Sequence, residues 1–133
     1  MAYVAKPYIA GTPQAEVLGQ TVQAFSENLE SAIIAPLLPQ HNLDHIVPDA
    51  WYPHQSWMNV LRDIDIQLGS HASSAFVAFG KQVVSTALMP QSLKSVPDVL
   101  YALHDIHHMN LRHIPAEEGY RVEKDDAGAY LVY

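Results

Sequence analysis

At 133 residues the chain has the length of one domain, enough to bury roughly two-thirds of its unfolded surface around a single core. With 49% hydrophobic and only 16% charged residues it reads as globular rather than disordered. A formal charge of −7 with no Lys/Arg stripe argues against nucleic acid and anionic membrane surfaces as partners. The absence of cysteine excludes disulfides, thiolate zinc sites, iron–sulfur clusters and covalently attached c-type haem.

In chain order, Tyr3 to Ile9 reads as a short strand or an extended arm, with Pro7 confining any pairing to an edge. The opening MAYVAKPYIAG has no basic region followed by a long apolar run, and no stretch approaches the ~20 apolar residues of a membrane span, which predicts a soluble, cytoplasmic protein. Thr12 and Pro13 mark a helix start, and Leu18, Val22, Phe25, Leu29 and Ile33 continue it at helical spacing to Ile34, just before Pro36. Gly19 weakens that helix by ~1 kcal/mol relative to alanine and suggests a close contact there.

The stretch PLLPQHNLDHIVPDAWYP reads as a long connection containing one short helical turn. His41 and His45 are a helical turn apart but read as surface residues, while Trp51 and Tyr52 pack the connection down. Asp49 is expected to cap the next helix, whose apolar stripe is Trp57, Val60, Leu61, Ile64 and Leu68 and whose end is Gly69. Ser70 is expected to cap a further helix, with Phe76, Phe79, Val83 and Ala87 inward until Pro90. An interior glycine costs helix stability, so Gly80 suggests a close approach by another backbone or a flat ligand.

The clearest helix start in the sequence is Ser95, with Pro97 in the first turn and Asp98 three residues on in a capping-box arrangement. At about 100° per residue, Val96, Leu100, Leu103, His107 and Leu111 share a face, with His104 at its edge and His108 further round. Beyond it, Tyr120, Val122 and Lys124 alternate with Arg121 and Glu123. Asp125-Asp126-Ala127-Gly128 supplies turn residues, and Ala129 to Tyr133 forms the second strand of a hairpin. The expected fold is therefore mainly helical α+β: an arm over 1–11, four to five packed helices over 12–113, and an antiparallel hairpin over 119–133. A lone hairpin is marginal in water, so its edge should be covered by helices, the arm or a second copy of the chain.

A histidine near an apolar stripe is either a core imidazole bonded to a carbonyl, a half-exposed ring, or a ligand to metal or haem iron. Three landmarks, in order along the chain, bear on this choice: the Trp51–Gly69 helix with its WYP entry, Phe79-Gly80-Lys81 inside an apolar helix, and Leu103-His104-Asp105 leading through Pro115 to the hairpin that ends at Tyr133. Together they resemble the haem nitric-oxide/oxygen-binding (H-NOX) sensor family and its bacterial relatives with 4-vinyl-reductase-like domains, over roughly residues 45–133.

That resemblance implies a sensory or regulatory domain with a helical pocket near His104, in which Phe79 and Gly80 also contact a non-covalent haem b. His104 would be the proximal ligand and Tyr133 the first residue of the Tyr-x-Ser-x-Arg motif that holds the propionates. The interval from Gly80 to His104 is shorter than in the family, and helical geometry centres the apolar face on His107 where the motif selects His104. The resemblance also implies a signalling protein partner.

Two further readings remain open. One is a haem-free interaction domain, with Trp51, Trp57, Phe76 and Phe79 filling the cavity and self-association into a homo-oligomer. The other is transition-metal binding by His104 and His108, which are i and i+4 on one helix. The sequence holds no cysteine nucleophile, no Gly-x-Ser-x-Gly elbow and no Gly-rich phosphate loop after a strand, so it predicts no enzyme.

Overall fold

The computed structural model describes residues 13–28, 31–86 and 91–133. The expected arm at Tyr3–Ile9 lies outside the described residues, as do Thr12, Leu29, Ala87 and Pro90 and the side chains of Phe79 and Val83. The fold is mainly helical α+β with a C-terminal antiparallel hairpin, and it divides into two compact units, 1–87 and 88–133.

The first unit runs β1 (Glu16–Leu18), α1 (Gly19–Asn28), α2 (Ser31–Ile34), α3 (Leu37–Gln40), β2 (Trp51–Pro53), α4 (His54–Leu68), a 3₁₀ turn at Gly69–His71 and α5 (Ala72–Thr86). The helix expected from Thr12–Pro13 thus begins only at Gly19. Glu16, Val17 and Leu18 are instead drawn into antiparallel pairing with Pro53, Tyr52 and Trp51, which buries Val17. The same proline-rich connection satisfies the N-terminus of α1: Gly19 N–H donates to the Ala50 carbonyl at 2.8 Å and Gln20 N–H to that of Pro48 at 2.9 Å. The contact inferred at Gly19 is present, because a Cβ there would collide with the Val47 carbonyl.

Pro36 separates α2 from α3, as its missing N–H requires. The connection then closes on itself: Asn42 takes a left-handed φ of 59°, Leu43 plugs the core, and the Tyr52 hydroxyl accepts from Val47 N–H while donating to the His45 carbonyl. His45 is exposed as expected. His41 is not a free surface residue, since its Nε2 lies 2.7 Å from Asp63 Oδ2 and joins the end of α3 to α4. That hydrogen bond, with the positive groups of His41 and Arg62 nearby, holds the Asp63 carboxyl below its ordinary range.

Asp49 does not cap α4. The strand Trp51–Pro53 runs straight into the helix, so Pro53 occupies the N-cap position in an extended conformation without a side-chain hydrogen bond. Trp57, Val60 and Ile64 bury the expected stripe, and the helix ends at Gly69 with φ 54°. Ser70 lies within the 3₁₀ turn rather than at a cap, and α5 begins at the buried Ala72. Helices α1, α4 and α5 meet through Phe25, whose ring is edge-on to Trp57 at 4.9 Å and tilted against Phe76 at 6.2 Å.

Gly80, inside α5, departs from expectation: a Cβ there would meet nothing within 4 Å, so among the described residues no neighbouring backbone approaches it. Gly80→Ala should therefore raise the unfolding free energy by about 0.5–1 kcal/mol, the gain of alanine over glycine in an unobstructed helix. Chemical denaturation tests this, and a loss of stability would show that the position is in fact crowded.

The second unit holds α6 (Val96–Asn110), β3 (Leu111–Arg112), β4 (Val122–Lys124) and β5 (Tyr130–Val132). The capping box forms as the sequence predicts, with Asp98 N–H donating to Ser95 Oγ and Ser95 N–H to Asp98 Oδ2. The apolar face of α6 is less covered than its periodicity suggests. Leu111 is buried, but Val96 is 72% exposed.

In the hairpin, Val122 faces Val132, Glu123 faces Leu131 and Lys124 faces Tyr130. Hydrogen bonds in both directions between Arg121 and Tyr133 extend the ladder by one pair. Asp125 N–H donates to the Ala129 carbonyl, Gly128 N–H donates to the Asp125 carbonyl, and Gly128 takes φ 86°. This is the three-residue hairpin loop with a glycine in the left-handed region. Tyr130 meets Tyr101 of α6 edge-on at 6.0 Å, which seats the hairpin on the helix.

Candidate functional site

The functional side chains of α6 are its imidazoles. Because 104, 107 and 108 are three, four and one residue apart, all three rings project from adjoining positions of one helical surface. His104 and His108 rings lie 4.5 Å apart and tilted, and His107 is edge-on to His108 at 5.8 Å. After β3, a turn closed by Glu118 N–H on the Pro115 carbonyl brings the chain back over this surface.

Several contacts help to fix the loop there. His108 Nε2 lies 2.6 Å from the Glu118 carbonyl oxygen. A carbonyl only accepts, so Nε2 of His108 carries the proton. Gly119, at φ 143°, presses its backbone against the rings: a Cβ there would stand 2.7 Å from His104 Nδ1 and 3.4 Å from His107 Cδ2. Tyr120 then covers His107 edge-on at 5.5 Å.

All three rings are half-buried. The Nε2 of His107 is buried and, among the described residues, without a hydrogen-bond partner. Burial, reinforced by the neighbouring imidazoles of His108 and His104 and opposed by the Glu118 carboxylate, pushes its pKa below the ordinary imidazole value.

Beside this cluster His104, Glu117, Gly119, Tyr120, Arg121 and Tyr133 line an open cleft of about 640 Å³. Arg121 lies over the Tyr133 ring, 5.0 Å from its centroid, and pairs with Glu123 at 2.8 Å. The cleft brings together His104 and Tyr133, two of the residues the sequence selects as ligand contacts. Phe79 and Gly80, the other two, are on α5 in the first unit.

The residues present do not fit haem. A porphyrin needs apolar walls on both faces, whereas this cleft is open and carries Glu117 and Arg121 in its lining. The unpartnered buried nitrogen belongs to His107 and not to His104. A metal held by His104 and His108 fares little better, because His108 Nε2 is occupied by the Glu118 carbonyl. Among the described residues no group of three or more suitable side chains is placed to hold a metal ion.

Glu117, Gly119, Tyr120 and Arg121 were not legible as site residues. Their sequence signals were those of a loop and a strand, and the glycine before the alternating run was the only hint of a tight approach. Comparisons with family models, curated proteins and solved structures find no match to this chain. Among the described residues no helix is long and apolar enough to cross a membrane.

Proposed function

We propose that the chain is a small ligand-binding domain of sensory or regulatory type, whose site is the cleft beside His104 and whose ligand is a planar organic anion. One observation carries this reading: the convergence of an imidazole, a guanidinium and two tyrosine rings, from His104, Arg121, Tyr120 and Tyr133, on one open cleft. The guanidinium suits a carboxylate and the rings suit a flat body. This is recognition rather than catalysis. Signalling to a protein partner in the cytoplasm is the setting it implies.

Benzoate is a suitable probe. Titrated at millimolar concentration, it should shift the NMR signals of His104, Arg121 and Tyr133. Arg121→Gln should weaken binding about tenfold, the loss of one charge-assisted hydrogen bond. Unmoved spectra would remove the anion reading. Hemin should give no Soret shift that depends on His104; a band abolished in His104→Ala would restore haem as the ligand.

A second reading, association of two copies, is favoured by the exposed apolar side chains Val96, Tyr101 and Met109 on α6 and Leu131 and Val132 on the hairpin. Sedimentation that shows only monomer at high concentration removes it.

A further inference from the structure

We propose that the second unit contains an acid-released clasp, in which the Pro115–Tyr120 loop closes over the α6 imidazoles when His107 is neutral and lifts when His107 takes up a proton. The proposal deepens the ligand reading and rests on it, since Glu117, Gly119 and Tyr120 of this loop form one wall of the cleft. Its test needs no ligand, so the two ideas fail separately.

The geometry sets the switch. Among the contacts that hold the loop are the hydrogen bond from His108 Nε2–H to the Glu118 carbonyl and the seating of Gly119 against the His104 and His107 rings. Protonation of His108 leaves that donor in place, so His108 is the hook and not the trigger.

The groups facing His107 are His104 and His108 on its own helix, and Glu118 and Tyr120 from the loop. Its Nε2 is buried and, among the described residues, unpartnered, so protonation of the ring leaves an ionic N–H there with no acceptor. Such a group regains hydrogen bonds only by reaching water, which requires Tyr120 and Gly119 to move away.

The sign follows from linkage. With the loop lifted, His107 is hydrated and titrates as an ordinary imidazole; with the loop closed, its pKa is lowered, first by burial. Closure is therefore complete above the ordinary value of 6.5 and weakens as pH falls from there toward the lowered one.

The experiment uses the full chain, with NMR of the histidine rings and hydrogen-exchange protection of the 118–120 amides, corrected for intrinsic rates, from about pH 8 to about pH 5. The native protein should progressively lose protection as the pH falls across that range. His107→Gln, which cannot charge, should keep its protection throughout. Native protection that does not change with pH, or an equal loss in His107→Gln, overturns the clasp. If His107→Gln fails to fold, the native ring titration still decides the matter: His107 titrating at or above the ordinary imidazole value overturns it, and titration below that value together with the loop signals supports it.

Discussion

Replacing Trp57 with alanine is expected to destabilise the first unit by about 3–5 kcal/mol, the cost of emptying a large aromatic site in a packed core. Trp57 is only 5% exposed and sits on α4 between the buried Val60 and the edge of Phe25, which in turn leans on Phe76 of α5. Three helices therefore share one aromatic contact. With typical domain stabilities of about 5–15 kcal/mol, a loss of this size leaves a marginal fold. Trp57→Phe, which keeps an aromatic edge, should recover more than half of the loss. Urea denaturation measures both, and a loss below about 1 kcal/mol for Trp57→Ala would show that α1, α4 and α5 do not meet as described.

Gly19→Ala should be nearly as damaging, at about 3 kcal/mol, for the opposite reason of overpacking. The added methyl meets the Val47 carbonyl and lies 3.0 Å from Tyr52 Cε2, and the first of these is backbone. Relief requires the connection to retreat, which stretches the hydrogen bonds from Gly19 and Gln20 to Ala50 and Pro48 that seal the start of α1. The Tyr52 hydroxyl bonds around Val47 and His45 are disturbed with them. Denaturation midpoints check this, and the contrast with Gly80→Ala is diagnostic: the same substitution in two helices of one unit should lower stability at 19 and raise it at 80.

What could be foreseen from the chain divides along the range of the forces involved. The α6 start was legible because Ser95, Pro97 and Asp98 settle it within four residues, and the hairpin because its turn is built from its own Asp125 and Gly128. The stripe Trp57, Val60 and Ile64 was legible from period alone. β1 was not, since Glu16-Val17-Leu18 fits a helix as readily as a strand until Trp51–Pro53 supplies the partner. His41 looked like surface because Asp63 lies far along the chain. In the candidate site, His104 and Tyr133 were singled out, but the loop that completes the cleft works through the Glu118 carbonyl and the bare backbone of Gly119. Main-chain groups are common to every residue and leave no mark in the sequence.

Because consecutive strand residues point to opposite sides, Arg121 and Tyr133 share one side of the hairpin only while the count of residues between them stays as it is. Lengthening the Asp126-Ala127 bend by a single residue without a compensating bulge would turn the tyrosine away from the guanidinium and remove its ring from the side of the hairpin that lines the cleft. A bend remote from the imidazoles thus governs whether the cleft has the right lining at all.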